Sequence, residues 1–334
     1  MDRKALLQAL AEELPPGTIR FSSKLVSIDT EPAAGGGSSE TVVMRLDDGT
    51  AIRAKVLIGC DGVHSVVARW LGMSKPVSSG RSCIRGLSVF PGGHSLKQEL
   101  RQFLSNGRGM VPINDTDVYW FLINNTVPAG KSTAHPHTAH AVPNNILANN
   151  KFIGKEAAGE PTKILPEVKD VLASHVPTEF LDVVHHSDLN NMSWALLLYR
   201  NLWSILTGKA TRGNVTMAGD AFHRMTPDIA QGGCAALEDA IILARALSQS
   251  AKPVEGLALY VAERRWRVSW IVAGAYMSGW VQQGGTNVSG MSKYLVKLFR
   301  DWIFYRFISP RLSDTMWYNC GDLTLHKDGK DHTE

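Results

Sequence analysis

The residues most able to do chemistry lie in one segment, 215–240, which an apolar, strand-like run opens. The run ends at Gly219-Asp220, and a carboxylate at a strand end can hold a polyol hydroxyl. Gly232-Gly233 then opens an alanine-rich helix, whose free amides and dipole favour a developing negative charge. A cofactor with a polyol and a ring that becomes anionic on reduction is a flavin. For the glycine pair alone, an ordinary strand–loop–helix crossover is the simpler interpretation.

A second segment, 54–69, also places an acid and a glycine after a short apolar run. The run 56–58 is typical of a buried strand, and Asp61-Gly62 predicts a tight turn that Gly62 permits through a positive φ. Ser65 then begins a predicted helix. Taken alone, an Asp-Gly turn after a strand is common and indicates no particular function. Its occurrence in the same chain as the first segment makes coincidence a poor explanation.

Together the two segments resemble the FAD-dependent, aromatic-hydroxylase-type (group A) flavoprotein monooxygenases. The residues 260–323 resemble the plant branch of that family, often called monooxygenase 1-like or salicylate-hydroxylase-like. The residues that carry the resemblance are Asp61, Gly62, Ser65, Gly219-Asp220-Ala221, His223, Pro227, Gln231-Gly232-Gly233, Glu238-Asp239-Ala240, Glu263-Arg264-Arg265-Trp266-Arg267 and Tyr318 to Leu323.

The resemblance implies a cofactor-binding role for several of these residues. It implies that Asp220 binds the ribityl chain of FAD and that Pro227 lies beside the isoalloxazine ring. The amides of Gly232 and Gly233 would face the N1–C2=O edge of the ring and stabilise its reduced, anionic form. From the other motif, Asp61 is the best candidate.

Gly62 and Gly219 are the remaining glycines assigned to the cofactor site. Arg3 matches an arginine that touches the flavin in the family, and a solvated position in the first turn of a helix explains it equally well. The chain departs from the family pattern at three positions: Ala230 replaces a usual Gly, Cys234 replaces a common Asn, and Arg69 stands one residue after the usual Arg.

The activity implied by the resemblance is the reduction of FAD by NADPH or NADH, followed by transfer of one oxygen atom from O2. The substrate would be a small organic molecule, with aromatic compounds among the candidates, and no residue is identified as catalytic. The alternative from a different class is a truncated, non-catalytic relative that does not retain flavin. A flavin halogenase or another FAD oxidoreductase of the same fold is the third interpretation.

The predicted fold class is α/β. It comprises an FAD/NAD(P)-binding Rossmann-like domain, an inserted antiparallel β-sheet substrate domain and a helical carboxyl-terminal region. The predicted bounds are 1–75 with 205–255 for the first, 76–204 for the second, including a mobile loop at 128–150, and 256–334 for the third. We further expect a helix near 2–13 and strands at 19–28, at 42–46 and within 81–125.

The family fingerprint Gly-x-Gly-x-x-Gly is not found in this sequence. Gly35-Gly36-Gly37 stands among small and polar residues, which predicts a loop rather than a phosphate-binding turn. The expectation is therefore an amino-terminally incomplete flavin domain.

Composition is that of a soluble globular enzyme, with 44% hydrophobic residues among 334 and a net charge of 35 − 31 = +4. Scattered basic residues indicate no nucleic-acid surface, and four separated cysteines indicate neither a zinc site nor a disulfide framework. His135, His137 and His140 lie in the predicted loop, where a metal site is not favoured. No targeting segment is recognised, so the expected compartment is cytoplasmic.

Residues 291–308 are apolar and basic, which permits association with a membrane surface. The favoured interpretation is a helix packed over the core, with Trp302 buried and the basic side chains in solvent. Those basic residues are Lys293, Lys297, Arg300 and Arg306.

Overall fold

The computed structural model describes residues 3–32, 40–103, 107–125, 177–282 and 291–322. The predicted loop at 128–150, with its three histidines, and the glycine run 35–37 lie outside these residues.

The strands and helices of the described chain are numbered here in chain order. The strands are β1 Leu25–Pro32, β2 Glu40–Leu46, β3 Ala51–Ala54, β4 Leu57–Gly59, β5 Val77–Val89, β6 Arg101–Phe103, β7 Arg108–Pro112, β8 Asp117–Asn125, β9 Ser193–Tyr199, β10 Thr211–Arg212 and β11 Val215–Met217. The helices are α1 Arg3–Glu12, α2 Val66–Trp70, α3 Thr178–His185, α4 Leu202–Thr207, α5 Asp220–His223, α6 Gly232–Gln249, α7 Pro253–Gln282, α8 Met291–Phe299 and α9 Ser309–Ser313. A π-helical stretch, Arg300–Ile308, joins α8 to α9.

The chain divides into two compact units, Met1–Thr18 with Gly80–Leu197 and Ile19–Ser79 with Leu198–Glu334. The first unit is built on a five-stranded sheet of order β6-β7-β8-β5-β9. Its pairs β6–β7, β7–β8 and β5–β8 are antiparallel, as the alternating pattern within 81–125 predicts.

The core of the first unit forms around Trp120, which is completely buried. Trp120 stands opposite Gly86 in the β5–β8 register, and a Cβ at Gly86 would lie within 2.7 Å of the indole. The absence of a side chain at Gly86 therefore makes room for the ring. Phe180 of α3 packs against Trp120 edge to face at 6.4 Å between centroids.

The second unit contains the parallel strand pair β4–β11, with β10 antiparallel to β11, and a separate antiparallel sheet β1-β2-β3. The longest helices, α6 and α7, belong to the same unit, and their apolar faces join the strands in one hydrophobic core. This arrangement confirms the predicted α/β class.

The prediction of a strand at 19–28 is wrong in its first half. The strand begins at Leu25, which pairs with Leu46 at the end of β2. Because β2 ends there in a turn, no residue of β2 lies opposite 19–24. Ile19 and Phe21 are exposed, the latter by 80%. Apolar composition without a pairing partner does not make a strand.

The prediction that Trp302 is buried is also wrong. Its side chain is 66% exposed, whereas Phe304, two residues later, is 2% exposed and packs in a small cluster with Val281 and Leu312. The 291–308 segment is helical as predicted, and the core contact falls on Phe304. No helix in the described part of the chain combines the length and apolar character needed to cross a bilayer.

Candidate functional site

The two segments singled out in the sequence meet at one edge of a sheet. Strands β4 and β11 run parallel, with Met217 opposite Gly59, and the amide of Ala218 donates to the carbonyl of Gly59 at 3.0 Å. Asp61 and Asp220 follow these strands directly. In open α/β sheets the carboxyl ends of parallel strands form the usual ligand-binding edge.

Gly219 makes the sharp turn from β11 into α5. Its φ is +58° with ψ −141°, a conformation that residues with a Cβ rarely adopt. Its amide donates to Oδ2 of the buried Asp239 at 2.7 Å. The carboxylate of Asp239 therefore fixes the turn that precedes Asp220.

Asp220 is the first residue of α5, and its side chain is half-buried. Its Oδ2 accepts from the guanidinium of Arg224 one helical turn later, so this carboxylate is paired rather than free. Its other oxygen, Oδ1, has no hydrogen-bond partner among the described residues. One acceptor of Asp220 is thus available to a ligand hydroxyl.

Asp61 caps α2. Its Oδ2 accepts from the amides of Val66 at 2.6 Å and Val67 at 3.3 Å, and the hydroxyl of Ser65 accepts from the amide of Ala68 at 2.8 Å. These bonds satisfy amides that a helix start leaves without partners.

The turn beside Asp61 also has the predicted geometry, because φ of Gly62 is +77°. Ala68 is buried and Arg69 is exposed, so the one-residue displacement of the arginine places it on the outer side of α2.

The amino terminus of α6 is open. Gly232 and Gly233 are its first two residues, and Gln231 before them makes no side-chain cap. Their amides have no acceptor within the helix, and the helix dipole adds partial positive charge there. A Cβ at Gly233 would meet nothing within 4 Å, so space remains beside this amide.

The loop before α6 begins at the exposed Pro227, which starts a 3₁₀ turn. Ala230 ends that turn in the left-handed conformation, at φ +54° and ψ +21°. This is the position where the family usually has glycine, and the backbone shows why, since a left-handed residue with a Cβ costs roughly 1–2 kcal/mol.

A buried ionic network lies directly behind the loop. Asp239 is fully buried and accepts from Gly219, from Nε2 of His223 at 2.6 Å and from Nε of Arg264 at 2.7 Å. Burial acts to raise the pKa of Asp239, but His223, Arg264 and the Gly219 amide outweigh it and hold the pKa below the usual value. Asp239 is therefore ionised, which makes Nε2 of His223 the donor.

Arg264, from α7, extends the network. It is also fully buried and donates to Glu238 at 2.7 Å and to the carbonyl of Ala235 at 3.1 Å. Burial acts to raise the pKa of Glu238, yet Arg267 and Arg264 together lower it. Helix α7 is thus linked to Glu238 and Asp239 of α6 through Arg264 and Arg267.

Four polar atoms between the end of α5 and the start of α6 are buried without a hydrogen-bond partner among the described residues. They are Nδ1 of His223, Nε of Arg224, Oγ1 of Thr226 and Oε1 of Gln231. Buried polar atoms are normally paired, so this loop has unused capacity for a bound group or water.

In the sequence the two halves of the network stand far apart and indicate only separate motif segments. These segments are the Glu238-Asp239 pair and the arginines of 263–267. The spacing of Arg264 and Arg267 by three residues, on one face of α7, was the available signal that both could reach a common partner.

Two positions from the sequence analysis remain, Arg3 and Cys234. Arg3 begins α1, and its side chain lies outside the described ones. Cys234 is exposed on the first turn of α6. In the part of the chain that the structure describes, no group of three or more His, Cys, Asp or Glu residues is arranged to hold a metal.

Comparison with known proteins finds the model of a family described as "FAD binding domain" at residues 2–163 and 166–275. The chain is 37% identical to Monooxygenase 2 of Arabidopsis thaliana over 97% of its length and 74% of that protein. It is 30% identical to Monooxygenase 1 of the same plant, over 96% of the chain and 75% of that protein.

Among solved structures, it is similar to Klebsiella pneumoniae HpxO complexed with FAD and uric acid. The TM-score is 0.72 at 20% identity, with 96% of this chain and 73% of HpxO covered.

Proposed function

This chain belongs to the family of FAD-dependent (group A) flavoprotein monooxygenases, and from that premise we propose how its own residues serve the reaction. FAD is held at the carboxyl ends of β4 and β11. The observation that carries this proposal is the parallel register of those strands, which brings Asp61 and Asp220 to one edge, followed by the uncapped start of α6.

Asp220 holds a hydroxyl of the ribityl chain through Oδ1, while Arg224 fixes the other oxygen. Since the carboxylate cannot rotate freely while it is paired, its open oxygen keeps one direction. Gly219 sets that direction, because its amide is tied to Asp239.

Gly232 and Gly233 stabilise negative charge on the reduced ring through their amides. Donors that are already in place need no reorganisation when negative charge develops. Stabilising such developing charge is the task in which preorganised donors have their largest effect. Pro227 lies beside the face of the ring and restricts the backbone conformation of the loop there. Asp61, with Gly62 in its turn, completes the cofactor edge by fixing α2 against β4.

The residues present fit a flavin on three grounds that lie in the structure. The α6 amides are free, the space beside Gly233 is open, and the loop contains unpaired buried polar atoms. FAD bound here supplies the electron transfer and the oxygen chemistry, while the protein binds and orients it.

We propose NADPH or NADH as the electron donor and O2 as the source of the inserted oxygen atom. The substrate is a small organic molecule, with aromatic compounds as the first to test. HpxO, which has a similar fold, was solved with uric acid, a small ring compound. The comparisons give no specific support to a non-catalytic relative.

The test is product formation by the full chain with added FAD. NADPH or NADH oxidation is followed with a panel of small aromatic compounds under isotopically labelled O2, and the product mass is measured. We expect one labelled oxygen atom per product molecule. Retained flavin with nicotinamide oxidation but no labelled product, over the whole panel, would refute the proposed substrate class.

Two variants separate the residue roles. Asp220→Ala is expected to lose product formation because the ribityl contact is removed. Arg224→Gln is the matched comparison, since it breaks the same ion pair but leaves the carboxylate, and it is expected to lose less activity than Asp220→Ala because only the fixed direction of the carboxylate is removed. Equal loss in both would show that the ion pair, and not the carboxylate, is what matters.

A further inference from the structure

The segment that runs from α8 through the π-helical stretch to α9 packs on the second unit through one side only. Phe299, Phe304 and Ile308 lie on that inner side, where they join a small hydrophobic cluster with Val281 of α7 and with Leu312. This cluster accounts for the inward apolar side chains of the segment. The apolar side chains on its other side need a separate explanation.

Five large apolar side chains of the same segment are exposed. Leu295, Leu298 and Trp302 are three and four positions apart, which is the spacing that places side chains on one side of a helix. Ile303 and Phe307 are four positions apart and adjoin this row. We call these five residues the outer face. Single exposed apolar residues are normal on a protein surface, whereas a contiguous group of them marks a site of interaction.

The exposure of Trp302 changes the interpretation of this segment. The sequence left two interpretations open for 291–308, a helix packed on the core and a helix at a membrane surface. Packing on the core accounts for Phe304 but not for Trp302, whose side chain is 66% exposed. The two interpretations apply to opposite sides of one segment, and the outer face remains available for a partner.

The segment is also strongly basic. Residues 291–313 contain five basic residues and one acidic residue, so their formal net charge of +4 equals that of the entire chain. The single acid, Asp301, is paired with its neighbour Arg300 at 2.7 Å. Three further cations are exposed and form no ion pair with the described residues, namely Lys297, Arg306 and Arg311.

We propose that the outer face docks on the surface of an anionic phospholipid bilayer. Trp302 and Phe307 enter the boundary between headgroups and acyl chains, where aromatic rings are favoured. Arg306, whose guanidinium lies 6.0 Å from the ring of Phe307, stays at the level of the lipid phosphates together with Lys297. The helix then lies in the plane of the interface, with Phe304 still packed on the protein.

A second copy of this chain fits the outer face less well. In a two-fold symmetric contact the same patch faces itself, so Arg306 of one copy approaches the cations of the other. The one acid of the segment, Asp301, is already engaged by Arg300. An anionic bilayer instead supplies the opposite charge along the whole segment.

The test is cosedimentation of the full chain with phospholipid vesicles, without FAD. One set of vesicles is phosphatidylcholine alone and the other is phosphatidylcholine with phosphatidylserine. We expect the chain to bind the anionic vesicles more tightly than the neutral ones. Binding should weaken between about 0.1 M and 1 M salt, because the Debye length falls from about 10 Å to about 3 Å.

Variants connect the binding to the outer face. Trp302→Ala removes a large apolar side chain and is expected to lower the affinity for anionic vesicles at least about tenfold. Arg306→Gln should lower it about fivefold, since each basic residue near an anionic surface contributes about that factor.

Trp266→Ala is the matched control, because Trp266 is an equally exposed tryptophan of α7. It precedes Val281 by roughly 22 Å along that helix, and its removal should leave vesicle binding unchanged. All three variants replace exposed side chains, and circular dichroism verifies that each has folded.

The proposal is overturned if the chain does not bind anionic vesicles, or if Trp302→Ala and Trp266→Ala weaken binding equally. Equal binding to neutral vesicles would also overturn it. A dimer that Trp302→Ala dissociates, without vesicle binding, would identify a second copy as the occupant. Soluble polyglutamate that binds as tightly as the anionic vesicles would identify an acidic protein surface. None of these outcomes depends on flavin, so the proposed function is tested separately.

Discussion

Replacing Asp239 by Asn should strongly destabilise the folded chain. Asp239 accepts from Gly219, His223 and Arg264 together, and all three bonds are between 2.6 and 2.7 Å. The neutral amide keeps one oxygen acceptor but loses the charge. Arg264 then remains fully buried, with Glu238 as its remaining acidic partner among the described residues.

The magnitude follows from the burial of the pair. Asp239 and Arg264 are both completely buried, so solvent screens neither charge. Removing one partner of such a pair typically costs about 3–5 kcal/mol. Because Asn retains an acceptor, we place the loss of unfolding free energy near the lower limit, about 3 kcal/mol. A domain whose stability is about 5–15 kcal/mol would lose a large fraction of it.

The dependence on pH tests the same reasoning. The pKa of Asp239 is lowered in the folded state, so its ionised form stabilises the fold above the unfolded pKa, close to the ordinary value of 3.8. That contribution is fully present at pH 7 and is lost as the pH falls through the lowered folded-state value. The difference between wild type and Asp239→Asn should therefore shrink as the pH falls below about 4.

The assay is urea unfolding followed by circular dichroism. Asp47→Asn is the matched control, since Asp47 is exposed and forms no ion pair with the described residues, and it should shift the unfolding free energy by less than about 0.5 kcal/mol. A loss below about 1 kcal/mol in Asp239→Asn at pH 7 would refute the reasoning.

Three further predictions, made with five substitutions, test local features by the same assay. Ala230→Gly should stabilise the chain by up to about 1 kcal/mol, because it relieves the left-handed residue, while Ala240→Gly within α6 should cost about 1 kcal/mol; equal effects would contradict the assigned backbone. Phe304→Ala should cost about 3–5 kcal/mol and Trp302→Ala far less, as their burial differs, and the reverse order would place the core contact on Trp302. Ser65→Ala should cost about 1 kcal/mol by removing the cap of α2, and no change would rule out that bond as a contributor.

The sequence predicted the strand-end motifs because these depend on residues that are close along the chain. The turn at Gly62, the cap at Ser65 and the start of α6 at Gly232 each follow from local rules of backbone conformation. The parallel pairing that brings Asp61 and Asp220 to one edge was not predicted, and the β4–β11 register shows it.

The features that escaped prediction depend on contacts between distant segments. The pairing of Asp239 with Arg264 joins two helices, and neither residue indicates its partner by type alone. The exposure of Trp302 depends on which side of a π-helical stretch faces the core. The pairing of Asp220 with Arg224 could have been predicted from the sequence, because the two residues are four positions apart at one short helix.

The central claim is that the edge formed by β4, β11 and α6 holds FAD through Asp220. Its most direct test is the visible absorbance spectrum of the full chain after incubation with FAD and gel filtration. The account predicts a flavin spectrum that co-elutes with the wild-type protein and with Arg224→Gln, but not with Asp220→Ala. A colourless wild-type protein, or an Asp220→Ala protein that retains as much flavin as wild type, would contradict it.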